Sequence, residues 1–167
     1  GLELCSFIKS NLGTCHIPVI LLTAKSSVEH QIQGYELGAD DYLAKPFNFD
    51  LLESRVQNLI DSRSALRHQF INSPEFKVEK ATSNSTDEKF LKEAIVTVEA
   101  NLSNPEFGVQ DLIQEMHVSR SFLHNKLSAL TNQSTAEFIN CIRMKKALKL
   151  LQETDKNISE VAYAVGY

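Results

Sequence analysis

The sequence predicts two folds in one chain: an α/β half with parallel strands and crossover helices, then an all-α half. Three observations carry this. Helix and strand patterns alternate before residue 80, and no strand signal follows. Between them, "NSPEFKVEKATSNSTDE" (72–88) is polar, Ser/Thr-rich and without an apolar period, as a linker is. In the second half an apolar pattern recurs at an offset of 49 residues.

The first half begins with "LELCSFIKS", a short helix with Leu4, Phe7 and Ile8 as its apolar positions. "IPVILLTA" (17–24) is a continuous β-branched and aliphatic run, as expected of a strand buried on both faces. Ser26 and Glu29 have the spacing of a capping box, and Val28, Ile32 and Tyr35 follow at helical intervals. Gly38 suits the helix stop. "DYLAK" is short enough for the next strand, and Asn48 can cap a helix from Phe49 onward.

That helix is long. Phe49, Leu52, Val56, Leu59, Arg63, Leu66 and Phe70 are spaced alternately three and four apart, which is the stripe of a coiled-coil seam. As far as Ile60 the helix is expected to pack on its own sheet. Beyond it no sheet remains, and pairing with a second copy is favoured. Should the whole stripe act as a seam, Leu52, Val56, Leu59 and Leu66 are the candidate dimerisation residues.

The second half opens with a helix from about Asp87 to Leu102, burying Phe90, Leu91, Ala94, Ile95 and Val98, and Pro105 and Gly108 punctuate its end. Val109, Leu112, Ile113 and Met116 then occupy i, i+3, i+4 and i+7, as do Ile158, Val161, Ala162 and Val165. An acidic residue, Asp111 or Glu160, stands in each first turn. After the first copy, "EMHVSRSF" makes a tight turn with Ser119 as N-cap. The next helix buries Leu123, Leu127 and Leu130 and presents Arg120, Ser121, His124, Asn125 and Ser128, with Lys126 alongside. A short helix, a turn and a helix with a polar outer face form a helix-turn-helix, whose exposed groups can meet base edges and phosphates. Asn132 ends it where a left-handed cap is wanted.

Net charge is −4, which argues against indiscriminate nucleic-acid binding by the whole chain. Between Met116 and Lys156, however, seven Lys/Arg (Arg120, Lys126, Arg143, Lys145, Lys146, Lys149, Lys156) face three acids. That excess suits a phosphate-facing surface or a solvated helix face. Three cysteines without CxxC spacing suit a reducing, cytoplasmic compartment. The histidines are scattered, and no metal set, phosphate loop or nucleophile–base pair stands out, so neither metal binding nor catalysis is expected. No run approaches the roughly 20 apolar residues of a membrane span.

The segment "DLIQEMHVSRSFLHNKLSALTNQSTAEFINCIRMKKALKLL" with "ISEVAYAVGY" resembles an AraC-type DNA-binding domain over 87–167. The resemblance implies two helix-turn-helix units joined by a long helix, here about Thr135 to Glu153. It implies base contacts from Ser121, His124 and Asn125 and phosphate contacts from Arg120 and Lys126. Many relatives carry arginine where this chain has Asn125, which shifts readout from guanine towards adenine. By the offset, Gly166 and Tyr167 match His117 and Val118, so the domain is expected to be truncated before its second recognition helix.

"HIPVILLTAKSS" and "GYELGADDYLAKPF" are similar to the C-terminal half of a flavodoxin-like receiver domain. The resemblance implies a phosphorylation switch: Thr23 as the hydroxyl that closes on a phosphorylated aspartate, Tyr42 as the rotamer-changing aromatic, and Lys45 as the phosphoryl's partner. It also implies a cis Lys45–Pro46 bond. Asp40 and Asp41 precede Lys45's strand and read as turn residues. No cofactor is expected in this chain; Mg²⁺ belongs to an intact receiver domain, whose aspartates lie upstream. The organisation expected is a partial receiver with its extended helix (1–71), a linker (72–86) and the DNA-binding domain (87–167). Together these imply a transcription regulator, the output portion of a hybrid two-component phosphorelay. Its expected partners are double-stranded DNA, a second copy, and the sensor histidine kinase portion of a parent anchored upstream in the membrane. The alternative is a dimerisation or scaffold module that does not bind DNA.

Overall fold

The structure, a computed structural model, describes residues 1–25, 27–72 and 85–167, without the side chains of Leu66, Gln69, Ile71, Asn72 and Ser85. Its elements are α1 (Leu2–Ser10), β1 (Ile20–Thr23), α2 (Val28–Glu36), β2 (Asp41–Ala44) and α3 (Phe49–Asn72). Then follow α4 (Ser85–Ala100), α5 (Val109–Glu115), α6 (Arg120–Thr131), α7 (Thr135–Glu153) and α8 (Ile158–Ala164). Two compact units divide the chain, Gly1–Leu66 and Arg67–Tyr167.

In the first unit β1 and β2 pair in parallel, from Ile20 opposite Asp41 to Thr23 opposite Ala44. The connection is α2, which stops at Gly38 with φ +88°, a conformation that only glycine adopts without strain. Asn48 caps α3 as its position suggests, its Oδ1 accepting from the Asp50 N–H at 2.6 Å. The core is small: Cys5, Leu21, Ala39 and Tyr42.

Here the helical stripes read from the sequence are wrong. Leu4 and Phe7 on α1 are 62% and 66% exposed, and Cys5 takes the buried position. On α2, Val28, Ile32 and Tyr35 are exposed, and Gly34 faces the sheet. A Cβ on Gly34 would stand 3.0 Å from the Tyr42 ring and 3.1 Å from Leu21. Two strands offer each helix a narrow surface, and its smallest residues take it. The Ser26 half of the expected capping box lies outside the described residues, and Ser27 is the N-cap.

Asp40 and Asp41 are also more than turn residues. Asp40 receives Lys9 Nζ at 2.6 Å and the Val19 N–H at 2.8 Å, fastening α1 to the start of the sheet. Asp41 is buried, receives Arg55 at 3.2 Å, and accepts from the N–H of Tyr42 at 2.7 Å. Tyr35 donates to it at 3.4 Å, and burial together with this carboxylate pushes the Tyr35 phenol above its usual range.

The second unit has one apolar core, in which Leu91, Ala94 and Val98 of α4 meet Leu112, Leu123, Leu127 and Phe138. The last turns of α3 group with this unit. Phe70 is 1% exposed and lies in this core, so Arg67 and the residues after it group with the second unit. Residues 73–84 of the expected linker lie outside the described residues, and α4 starts at Ser85, ahead of the expected Asp87.

The 49-residue repeat is real in three dimensions. It matches α5 to α8 end for end. Leu112 and Val161 are both buried. Asp111 accepts from the Gly108 N–H and Glu160 from the Asn157 N–H, each at 2.8 Å. After each helix the chain turns through positive φ, 53° at His117 and 79° at Gly166. The turn then closes with Val118 N–H on Ile113 O (3.3 Å) or Tyr167 N–H on Ala162 O (3.0 Å).

Candidate nucleic-acid interface

The turn between α5 and α6 has a local cause. His117 takes the left-handed conformation and Val118 closes the α5 end, so Ser119 arrives extended (φ −77°, ψ 154°). Its hydroxyl accepts from the Phe122 N–H at 3.2 Å, satisfying one of the free donors at the start of α6. At the other end Asn132 has φ 59°, the left-handed cap its residue type suggests.

Between these caps α6 is sharply two-sided. Leu123, Leu127 and Leu130 are buried, while Arg120, Ser121, His124 and Asn125 are exposed. The four exposed residues line one groove, together with Val109 and the α7 start at Ser134, Thr135 and Ala136. That start is fixed by a reciprocal cap. The Glu137 N–H donates to Ser134 Oγ at 3.3 Å and the Ser134 N–H to Glu137 Oε2 at 2.7 Å. These bonds hold the Glu137 carboxyl below its ordinary value of 4.5. The groove thus combines a guanidinium, an imidazole, an amide and a hydroxyl on one helical face. Those are donors and acceptors able to pair with phosphate oxygens and base edges.

Lys126 is not among them. It is 1% exposed, and its ammonium meets Asp87 of α4, also 1% exposed, at 2.5 Å. A buried lysine needs a buried partner, so the phosphate contact expected of it is withdrawn. The basic excess shrinks for the same reason. Arg143 is buried, its Nη2 donating to the carbonyls of Asn104 at 2.9 Å and Phe107 at 3.1 Å. Lys145 is half-buried and donates to the Phe70 carbonyl. Arg120, Lys149 and Lys156 remain exposed, with Lys146 partly so.

In the first unit Thr23 and Lys45 come together at one end of the strand pair, the Lys45 N–H donating to Thr23 O at 2.7 Å. Lys45 is exposed and the Lys45–Pro46 peptide is cis. Tyr42 is buried, its hydroxyl donating to Lys25 O at 2.6 Å. A Mg²⁺ ion does not fit here. Asp40 and Asp41 lie at the opposite strand end and are engaged by Lys9 and Arg55. Among the described residues no group of three or more His, Cys, Asp or Glu could hold a metal. Along α3, Leu52 and Leu59 are half-buried and Val56 is exposed, so the stripe is not covered by its own sheet as expected up to Ile60. The Leu66 side chain lies outside the described residues.

Comparison with known proteins agrees with this division. A response regulator receiver domain matches residues 1–57, and a helix-turn-helix domain matches residues 112–167. The chain is 43% identical over its whole length to histidine kinase P4 of Formosa agariphila, spanning 12% of that protein. It is 27% identical to the transcriptional regulatory protein QseB of Haemophilus influenzae, over 99% of this chain and 72% of the relative. It is 50% identical to the transcriptional regulatory protein CusR of Escherichia coli over 50 residues, 30% of this chain and 22% of the relative. No solved structure matches. No helix among the described residues is long and apolar enough to cross a membrane.

Proposed function

Because this chain joins a response-regulator receiver segment to a helix-turn-helix domain of AraC type, we infer that it is a DNA-binding output portion of a two-component regulator. The observation that carries the reading is the clustering of Arg120, Ser121, His124 and Asn125 in one groove on the second helix of a helix-turn-helix. In this reading Arg120 holds phosphate and Ser121, His124 and Asn125 face base edges, the Asn125 amide pairing with adenine. The chain acts by binding rather than catalysis, on the cytoplasmic side. The match to a histidine kinase supports a parent protein whose sensor and kinase portions control this output. Thr23, Tyr42 and Lys45 form the receiving end of that signal, and Mg²⁺ acts in the intact receiver, outside this chain. The partly exposed Leu52, Val56 and Leu59 support pairing of two copies along α3.

The test is enrichment of a random-sequence duplex pool by the chain, followed by affinity against salt. An enriched sequence is expected, bound more tightly than the starting pool. Arg120→Ala should lower the salt slope by about 1 on any duplex. Asn125→Ala should cost about 1–3 kcal/mol on the enriched duplex alone. Equal binding of enriched and random duplexes would reject the reading.

A further inference from the structure

The last turns of α3 reach α6 from a part of the chain that neither family match covers. Arg67 donates from Nε and Nη2 to the carbonyl of Ala129, at 3.1 and 2.9 Å. Ala129 belongs to the final turn of α6, where the last four carbonyls of a helix have no partner within it. Asn132 N–H serves one of them, Ser128 O, at 2.9 Å, and Arg67 serves the next. Its positive charge also stands at the negative end of the helix dipole.

One turn further along, Phe70 anchors the segment. Its ring stacks on Phe138 of α7, with centroids 5.5 Å apart and planes 4° from parallel. Lys145, also on α7, donates to the Phe70 carbonyl and places its ammonium 4.6 Å from the ring centroid. Partial burial pushes that ammonium below the usual lysine range.

The grip of Arg67 complements the one at mid-helix. The Lys126–Asp87 pair ties the middle of α6 to α4, and Arg67 adds a polar attachment at its C-terminal end, where the buried leucine stripe stops at Leu130. Resting on the reading of α6 as the DNA-contacting helix, we propose that Arg67, anchored by Phe70, is a positioning residue for DNA recognition. It fixes the end of α6 and so aims Arg120, Ser121, His124 and Asn125. Paired hydrogen bonds to bases tolerate errors of only about 0.5 Å or 10–20°, so the aim of α6 matters to affinity.

The test compares Arg67→Ala and Arg67→Lys with the wild type in the 167-residue chain. Amide hydrogen exchange is read helix by helix without DNA, and affinity is measured on the duplex that the wild type enriches. In Arg67→Ala, exchange in the last turn of α6 should rise about tenfold, with α4 and α5 unchanged. Affinity for the enriched duplex should fall by a similar factor while random duplex is held as before. Arg67→Lys keeps the charge and loses the fork, and should recover part of both losses. Should Arg67→Ala fail to fold, Arg67→Lys is read in its place, with the same changes at smaller size. Exchange rising equally in every helix would overturn the proposal, as would unchanged affinity on the enriched duplex. If the wild type enriches no sequence, the DNA-binding reading fails, and the exchange pattern alone decides whether Arg67 fixes α6.

Discussion

A lysine at 1% exposure, in a stripe otherwise made of leucine, depends on the aspartate 2.5 Å away. Removing either partner leaves the other charge buried, whereas replacing both with apolar groups removes the desolvation problem. Lys126→Met or Asp87→Asn alone should therefore lower unfolding free energy in urea by about 3–5 kcal/mol. The double change Asp87→Leu with Lys126→Met should recover most of that loss. Singles that match the double would show that the two do not act as a pair. The burial was legible in principle. Leu123, Lys126, Leu127 and Leu130 occupy i, i+3, i+4 and i+7, the same template that identifies the α5 stripe. So do Asp87, Phe90, Leu91 and Ala94 on α4. Two opposite charges in core slots imply each other, and a reading that treats every lysine as surface misses both. Counting charges without placing them on the helix overstates the basic surface in the same way.

Among the elements, the all-α half follows its sequence closely because α4 to α7 share an apolar core and α5 to α8 carry local caps. The reciprocal cap at Ser134 and Glu137 illustrates how such a start responds to solution conditions. The folded-state Glu137 carboxyl is held below its ordinary 4.5 by the bonds from Ser134. Its contribution is therefore present above that value and is lost as pH falls through the lower, folded pKa. The melting temperature of wild type should exceed that of Glu137→Gln at neutral pH, and the gap should narrow as pH falls below 4.5 and close once the folded carboxyl is protonated. A gap that persists in acid would mean that the charge is not the stabilising feature. In the α/β half the first strand was legible from its β-branched and aliphatic run, although it spans only Ile20–Thr23 and leaves Leu22 exposed, and the α2 stop was legible from Gly38. The helix faces were not, because a two-stranded sheet gives an apolar stripe little to pack on. Cys5 and Gly34, not the large residues, take the inward positions.

For the molecule as a whole, α3 carries two different surfaces in sequence. Its earlier turns leave Leu52, Val56 and Leu59 partly open, and its last turns bury Phe70 in the second unit. If the open stripe pairs two copies, Val56→Asp with Leu59→Asp should shift the sedimenting species from dimer to monomer without loss of helix content. A mass that does not change would remove the seam from the account. The polar 72–88 stretch reports where the chain is hydrophilic, not which residues of the preceding helix pack with the second unit. Arg67 and Phe70 lie before that stretch yet group with the second unit. Such a layout constrains how chains with these two units are recombined. A crossover in the hydrophilic stretch would leave the second unit without its Arg67 and Phe70. An exchangeable cassette must instead begin upstream of Arg67, within a continuous helix. There, each residue added or removed turns whatever precedes the joint by about 100°, so the interchangeable part is defined by helical phase as much as by domain.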